Sequence, residues 1–414
     1  MASMSLDTRI RLSAMMFLQY LMLAVWLVQL SAYLGTMGMS SMQIALIANS
    51  MALGCLASPL IGMIADRHFP SQIVLSVLNI VAGVLLIVSA QVTSPMAVFI
   101  CLLLTMLCYM PTWGLTSSIA MSHSPSDKFP QIRVFGSIGW VAAGLFSIVA
   151  GFWKVSIDGK PAALVCGGAV ALVAGIFALF LPHTPPPAKG QKASIADVLG
   201  LRSLGLMKDS QFAMLILGTL IGSIAFASDW TYFTQFLQAK GYQYLTVTKN
   251  WGQVAEMALM LAVPIVIAKV GLKWTMVLGL AAMVVRYVAY SVGNAFDTDA
   301  LYYVGILVHG IIFGFFYVGG QIYVDRKAPK EMKAQAQGLM FLIAFGVGLL
   351  IGNFINAALL EMGVPSGQKN WQAMWVGSAI ISAVVLVIFA LLVREPTPLA
   401  QEKAPAAQEA GPTA

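Results

Sequence analysis

The chain has 414 residues, of which 59% are hydrophobic and 9% charged, with a mean hydropathy of +0.85; a soluble domain has about a quarter of its residues charged, so a water-soluble globular fold is excluded. The net charge of +7 does not point to nucleic acid, because the basic residues fall in short connections between apolar runs, where they report topology. Those runs reach the roughly 20 residues needed to cross about 30 Å of hydrocarbon, which favours helices over a barrel of short alternating strands.

In chain order, twelve runs are predicted to span the bilayer: 10–34, 43–65, 72–91, 96–121, 131–153, 162–182, 209–237, 250–269, 273–293, 299–323, 334–360 and 371–393. Arg9 and Arg11 precede a first run too long for a signal-peptide core, so that run is expected to be retained. Residues 1–182 and 209–395 are expected to form two six-helix bundles, with 183–208 as a cytoplasmic linker and 396–414 as a disordered tail. With the N-terminus inside, sixteen Lys and Arg fall in cytoplasmic segments and five outside, Lys249 among the five. That bias predicts an inner-membrane protein with both termini cytoplasmic. Two halves joined by a long loop suit bundles that rock about a central site. Pro59, Pro111 and Pro264 are expected to interrupt the second, fourth and eighth helices. Cys55, Cys101, Cys108 and Cys166 read as small core residues, and no metal or cofactor is expected.

Only Asp229 and Glu256 among the acidic residues lie well inside the runs, and Arg286 is the one deeply placed counter-charge. A charge at a helix centre costs about 2.5 to 3.5 kcal/mol on insertion scales, so each is expected to face a cavity or a partner. At about 1.5 Å per residue all three lie at a similar depth, and Arg286 is free to pair with either acid. Gln253 shares the helical face of Glu256, so an amide and a carboxylate point together. In the tenth run His309, Phe313 and Tyr317 form one stripe, either core packing or a ligand wall. In the fifth, Arg133, Ser137 and Trp140 recur at i, i+4 and i+7; Arg133 reads equally as a snorkelling surface residue.

The stretch "GMIADRH", Gly62 to His68, resembles the loop signature of the major facilitator superfamily, which implies a gating role for Asp66 and Arg67 across the bundles. Together "FPQIRVFGSIGW", "WGQVAEMALMLAVPI", "VVRYVAYSVG" and "AQAQGLMFL" resemble the bacterial nucleoside:proton symporter family of that superfamily. The likeness runs from about Phe17 to Trp375. It implies nucleoside recognition by Arg133, Ser137, Trp140, Gln253, Glu256, His309, Phe313 and Tyr317. Ser137 replaces the family's Thr, Trp140 its Phe and His309 its Tyr, while Gly314 stands where the pattern has Asp. The proton-coupling candidates are then Glu256, Asp229 and His309, since burial raises a carboxyl's affinity for its proton.

The expected protein is therefore an all-α, twelve-helix transporter of the major facilitator fold, importing nucleosides by alternating access with protons. Its expected partners are the nucleoside, protons and the lipid bilayer, and the expected state is a monomer. A sugar or drug carrier, or a nucleoside facilitator without proton coupling, is the alternative. No clustered nucleophile, base or metal set points to an enzyme.

Overall fold

A computed structural model describes residues 4–125, 128–187, 201–329, 332–365 and 367–396. All but the first residue of the predicted tail, and residues 188–200 of the predicted linker, lie outside the described residues. Each predicted run is a helical span: α1 (Leu6–Thr36), α2 (Ser41–Arg67), α3 (Ser71–Ser89), α4 (Pro95–His123), α5 (Gln131–Phe152), α6 (Ala162–Ala178), α7 (Ser210–Ala239), α8 (Leu245–Met260 with Val263–Val270), α9 (Leu272–Phe296), α10 (Asp299–Lys327), α11 (Gln335–Glu361) and α12 (Trp371–Leu392). Ten are long and apolar enough to cross a membrane singly, α8 is a pair bent by 56°, and α6 is shorter, with 17 residues.

Local chemistry explains the breaks. Pro264 lies in the first turn of the second α8 segment, where its missing N–H is least costly, and the helix bends just before it. Pro59 likewise opens Ser58–Arg67, after a tight turn at Cys55–Ala57. Pro111 differs from expectation: α4 runs on through it to His123. The sequence does not announce the π-helical turns at Ser228–Tyr232, Ile312–Val318 and Leu342–Gly348. Such turns leave backbone groups that other parts of the protein must satisfy.

Within the first six spans, α1 packs on α5 and α6, and α3 on α4 and α6; within the last six, α9 packs on α10 and α12, and α7 on α11 and α12. A buried amide network ties three helices of the first set: Gln19 Nε2 donates to Thr112 Oγ1 at 2.6 Å, and Asn79 Nδ2 donates to Gln19 Oε1 at 3.0 Å. Buried polar groups paired in this way fix helix register. Of the cysteines, Cys55 is buried and the other three are half-buried, so only the first is a true core residue. At the start of the second set Asp209 caps α7 by accepting from the Phe212 N–H at 2.8 Å and meets Lys327 at 3.0 Å. Burial raises the Asp209 carboxyl, but these bonds outweigh it and hold the group below its usual range.

The two sets meet at the end away from the chain termini. Glu361 of α11 accepts from the Ser41 and Met42 N–H groups at 2.8 and 3.3 Å, which places a carboxylate at the N-terminus of α2. Lys369 donates to Ser41 Oγ at 3.0 Å, Asn353 Nδ2 to Asn49 Oδ1 at 2.7 Å, and Thr234 Oγ1 to the Val28 carbonyl at 2.9 Å. Asp158, in the loop between α5 and α6, accepts from Ser147 at 2.7 Å and from Thr246 at 3.4 Å in the first turn of α8.

Removing the Glu361 charge is expected to loosen this closed end. A carboxylate at an exposed helix N-terminus contributes about 0.3 to 1 kcal/mol, so Glu361→Gln should shift the closed-to-open ratio by about two- to five-fold; distances between spin labels on residues flanking Ser41 and Glu361 measure it. Burial also pushes the Asp158 carboxyl above its usual range, against hydrogen bonds from Ser147, the Leu245 N–H and Thr246. The group therefore binds its proton more tightly when closed than when opening hydrates it. Closure is then favoured as pH falls through the raised pKa and weakened as pH rises through it. Labels on the α5–α6 and α7–α8 loops should report that trend, and Asp158→Asn should flatten it; an unaltered pH response in the variant would remove Asp158 from this role.

Candidate functional site

Between the two sets of spans is a cavity with walls from α1, α2, α5 and from α7 to α11. Trp140, Asp229, Trp230, Lys249, Asn250, Gln253, Arg286, Tyr290, His309 and Asn353 supply its polar and aromatic surface, and Leu30, Ile44, Met51 and Leu349 part of its apolar surface. A mostly apolar pocket with a few fixed polar groups is the usual form of a small-molecule site.

Two charge clusters meet there. Asp229 lies in the π-helical turn of α7, with Arg286 Nη1 3.5 Å and Lys249 Nζ 3.9 Å from its Oδ2, while Tyr290 donates to its Oδ1 at 2.9 Å. Lys249 also donates to the carbonyl oxygens of Asp229 and Trp230, at 2.7 and 3.1 Å. It thus satisfies backbone groups of the irregular turn. Arg286 Nε donates to the Gly305 carbonyl at 3.0 Å. In the second cluster His309 Nε2 lies 3.3 Å from Glu256 Oε2. The close approach of α8 and α10 that permits this contact needs Gly310, where a Cβ would stand 2.6 Å from the Ala255 carbonyl oxygen. Of the two acids open to Arg286 on depth alone, its partner is Asp229, and Glu256 has His309.

Trp140, Gln253, Asp229, Arg286 and His309 line the cavity together, and Glu256 stands behind His309. Phe313 continues the stripe, its ring 6.0 Å from His309 and 5.7 Å from Tyr317. Tyr317 is buried, with its hydroxyl 3.1 Å from Ser223 Oγ, so it packs on α7 and is not a lining residue. Arg133 and Ser137 are also outside the lining. Arg133 lies 4.3 Å over the ring of Tyr20, which stacks on Trp113 at 5.7 Å, an aromatic seat in place of a snorkelling pose. Asp66 is exposed and Arg67 half-buried at the end of a segment that packs on α3 and α4. At Gly314 a Cβ would face Val263 at 3.3 Å and Met260 at 4.0 Å, so a side chain there would point to the bend of α8.

Lys249 is a correction. It was expected outside the membrane in the connection before the eighth helix, but α8 begins at Leu245 and carries Lys249 into the cavity. Thr246, Thr248 and Asn250 lower the hydropathy of that first turn, and its cap comes from Asp158, a residue far away in sequence. A signal was present: Lys249, Gln253 and Glu256 stand at i, i+4 and i+7, one helical face. Trp230, Asn250, Tyr290 and Asn353 were missed as well. Trp230 faces Trp140 with ring centroids 6.0 Å apart, an aromatic pair that joins α7 to α5.

Comparison with known proteins agrees with this geometry. The sequence model of the Nucleoside H+ symporter family matches residues 6–398. "Putative nucleoside transporter YegT" of Escherichia coli K12 is 35% identical over 405 residues, covering 94% of this chain and 95% of the relative. "Nucleoside permease NupG" of the same organism is 26% identical over 424 residues, covering 95% and 98%, and "Xanthosine permease" is 26% identical over 401 residues, covering 92% and 94%. The fold matches a crystal structure of a NupG point variant with TM-score 0.86 at 24% identity, over 94% of this chain and 100% of that one. A D-xylose-proton symporter matches with TM-score 0.73 at 11% identity, over 95% and 99%. With the family model covering nearly its whole length, the chain belongs to the Nucleoside H+ symporter family.

Proposed function

We propose that the protein imports nucleosides across the inner membrane together with protons, by alternating access of residues 1–182 against 209–395. The observation that carries this reading is a cavity between the halves, sealed at one end, whose walls bring Gln253 and His309 together with Trp140 and Trp230, with Glu256 behind His309. Relatives described as a nucleoside permease and a xanthosine permease support the same solute class. A neutral nucleoside suits such walls: its flat base stacks on Trp140 or Trp230, and its ribose hydroxyls bond Gln253 and His309, which Glu256 backs.

In this reading the Glu256–His309 pair carries the coupled proton. The two groups are 3.3 Å apart, close enough to share one proton, and His309 lines the cavity where the solute would bind. Asp229 is less suited to the task, because its oxygens are already engaged by Arg286, Lys249 and Tyr290. Arg286 is then the structural counter-charge, and Arg133, Ser137 and Phe313 lie on the path beyond the cavity. Asp66 and Arg67 serve the gate at the end that bears the chain termini. That end faces the cytoplasm by the excess of Lys and Arg in its connections. The carrier acts as a monomer with no cofactor. A second reading, uncoupled facilitation, is favoured by Gly314, which leaves the bend of α8 without the carboxylate that the family pattern places there.

Cells without their own nucleoside permeases are expected to take up labelled uridine when they express this chain, and to lose accumulation on adding a protonophore. Uptake of no nucleoside by correctly inserted protein would sink the proposal. Glu256→Gln is expected to cut accumulation at least ten-fold while uridine exchange between preloaded vesicles and medium persists; undiminished accumulation under a pH gradient would favour another coupling group or the facilitator. Arg286→Ala leaves a buried carboxylate short of its counter-charge, which costs about 3 to 5 kcal/mol in such settings. A lower thermal midpoint of the detergent-purified protein measures that loss, and an unchanged midpoint would argue against the structural role.

A further inference from the structure

The charges around the cavity do not balance at its Asp229 end. One carboxylate stands between two cations, Arg286 at 3.5 Å and Lys249 at 3.9 Å, while Glu256 faces His309. Both cations line the cavity, and neither has used all of its donors. Arg286 Nη1 is buried and faces Asp229 Oδ2 at 3.5 Å without making a hydrogen bond. Lys249 gives two bonds to the carbonyls of the α7 turn, which leaves the third N–H of its ammonium. Beside Lys249, Asn250 shows the opposite need: its Nδ2 donates to the Trp140 and Val141 carbonyls, at 3.4 and 3.2 Å, and its Oδ1 is a buried acceptor without a partner. Those two carbonyls fix which atom of the amide is oxygen.

Spare cationic donors next to a spare neutral acceptor are the complement of a lactam, in which a carbonyl oxygen adjoins an N–H. Resting on the nucleoside reading, we propose that the Asp229 end of the cavity is a subsite for the lactam edge of the base. There Lys249 and Arg286 donate to its carbonyl oxygen, and Asn250 Oδ1 accepts from its N–H. The three residues are thus specificity determinants. Uracil and hypoxanthine present that edge. Cytosine and adenine carry an amine in place of the oxygen and a bare ring nitrogen in place of the N–H, which sets donors against cations and an acceptor against Asn250. The members of each pair have nearly the same shape, so packing alone does not separate them. A site built to hydrogen-bond one member leaves its own buried groups unpaired with the other.

The test is direct titration calorimetry of the full-length protein in detergent with uridine, cytidine, inosine and adenosine. Uridine is expected to bind about ten-fold or more tightly than cytidine, and inosine likewise over adenosine, the scale of one charged hydrogen bond. In Lys249→Gln and Asn250→Ser both ratios are expected to fall towards one. The wild-type ratios decide the matter even where a variant fails to fold. Equal affinities within both pairs overturn the subsite and leave nucleoside transport standing, whereas no binding of any of the four overturns both. Ratios unaltered in the folded variants would also overturn the assignment, by moving base recognition elsewhere.

Discussion

Everything near the centre of this transporter follows from the cost of holding ions away from water. Asp229, Glu256 and Arg286 are almost fully buried, and each has an answer within about one side chain's reach: Asp229 has Arg286, Lys249 and the Tyr290 hydroxyl, and Glu256 has His309. Such pairs contribute little net stability, because desolvation offsets most of the attraction, but breaking one is expensive. Their effect is to fix which helices meet. The Asp229 cluster joins α7, α8 and α9, and the Glu256 pair joins α8 to α10. The helices that carry charge are therefore among those that wall the cavity.

The irregular backbone belongs to the same economy. A π-helical turn within a membrane is tolerated where protein or a polar cavity meets its freed carbonyls. Those of α7 at Asp229 and Trp230 are met by the Lys249 ammonium, which also faces the Asp229 carboxylate. One long cationic side chain thus serves two requirements that would each be costly alone. The bend of α8 lies further down the same helix, opposite Gly314 on α10. The family's usual carboxylate would stand at that bend, so its absence lightens the charge there and leaves Glu256 and His309 as the titratable pair nearest to it.

The fold was legible because its signals are local: hydrophobic length sets each span, and prolines mark two of the three breaks they were expected to make. Arg286, Asp229 and Glu256 could be ranked by depth, but not paired, since pairing depends on the rotation of each helix about its axis. Trp140, Gln253 and His309, singled out by face and spacing, all line the cavity. Lys249 was lost because the start of α8 rests on Asp158, a non-local cap, and a polar first turn reads as loop when that cap is unknown. Tyr317 shows the converse error. Its stripe with His309 and Phe313 is real, yet a π-helical turn at Ile312–Val318 alters the angular spacing, and the last ring turns towards Ser223. Periodicity is a reliable guide only while the helix keeps 3.6 residues per turn.

α8 is where closure and chemistry share one rod. Its first turn is held by Asp158 from the other half, its second presents Lys249 and Asn250, and its third and fourth carry Gln253 and Glu256. Asn250 also reaches across to the carbonyls of Trp140 and Val141 on α5. A movement that parts α5 from α7 and α8 must therefore break the Asp158 contact, strip Asn250 of its carbonyl partners and separate Trp140 from Trp230. Opening the sealed end and dismantling this wall of the cavity are then one event. A carrier built in this way does not need a separate signal from cavity to gate, because residues that line the cavity are among those that hold its end shut.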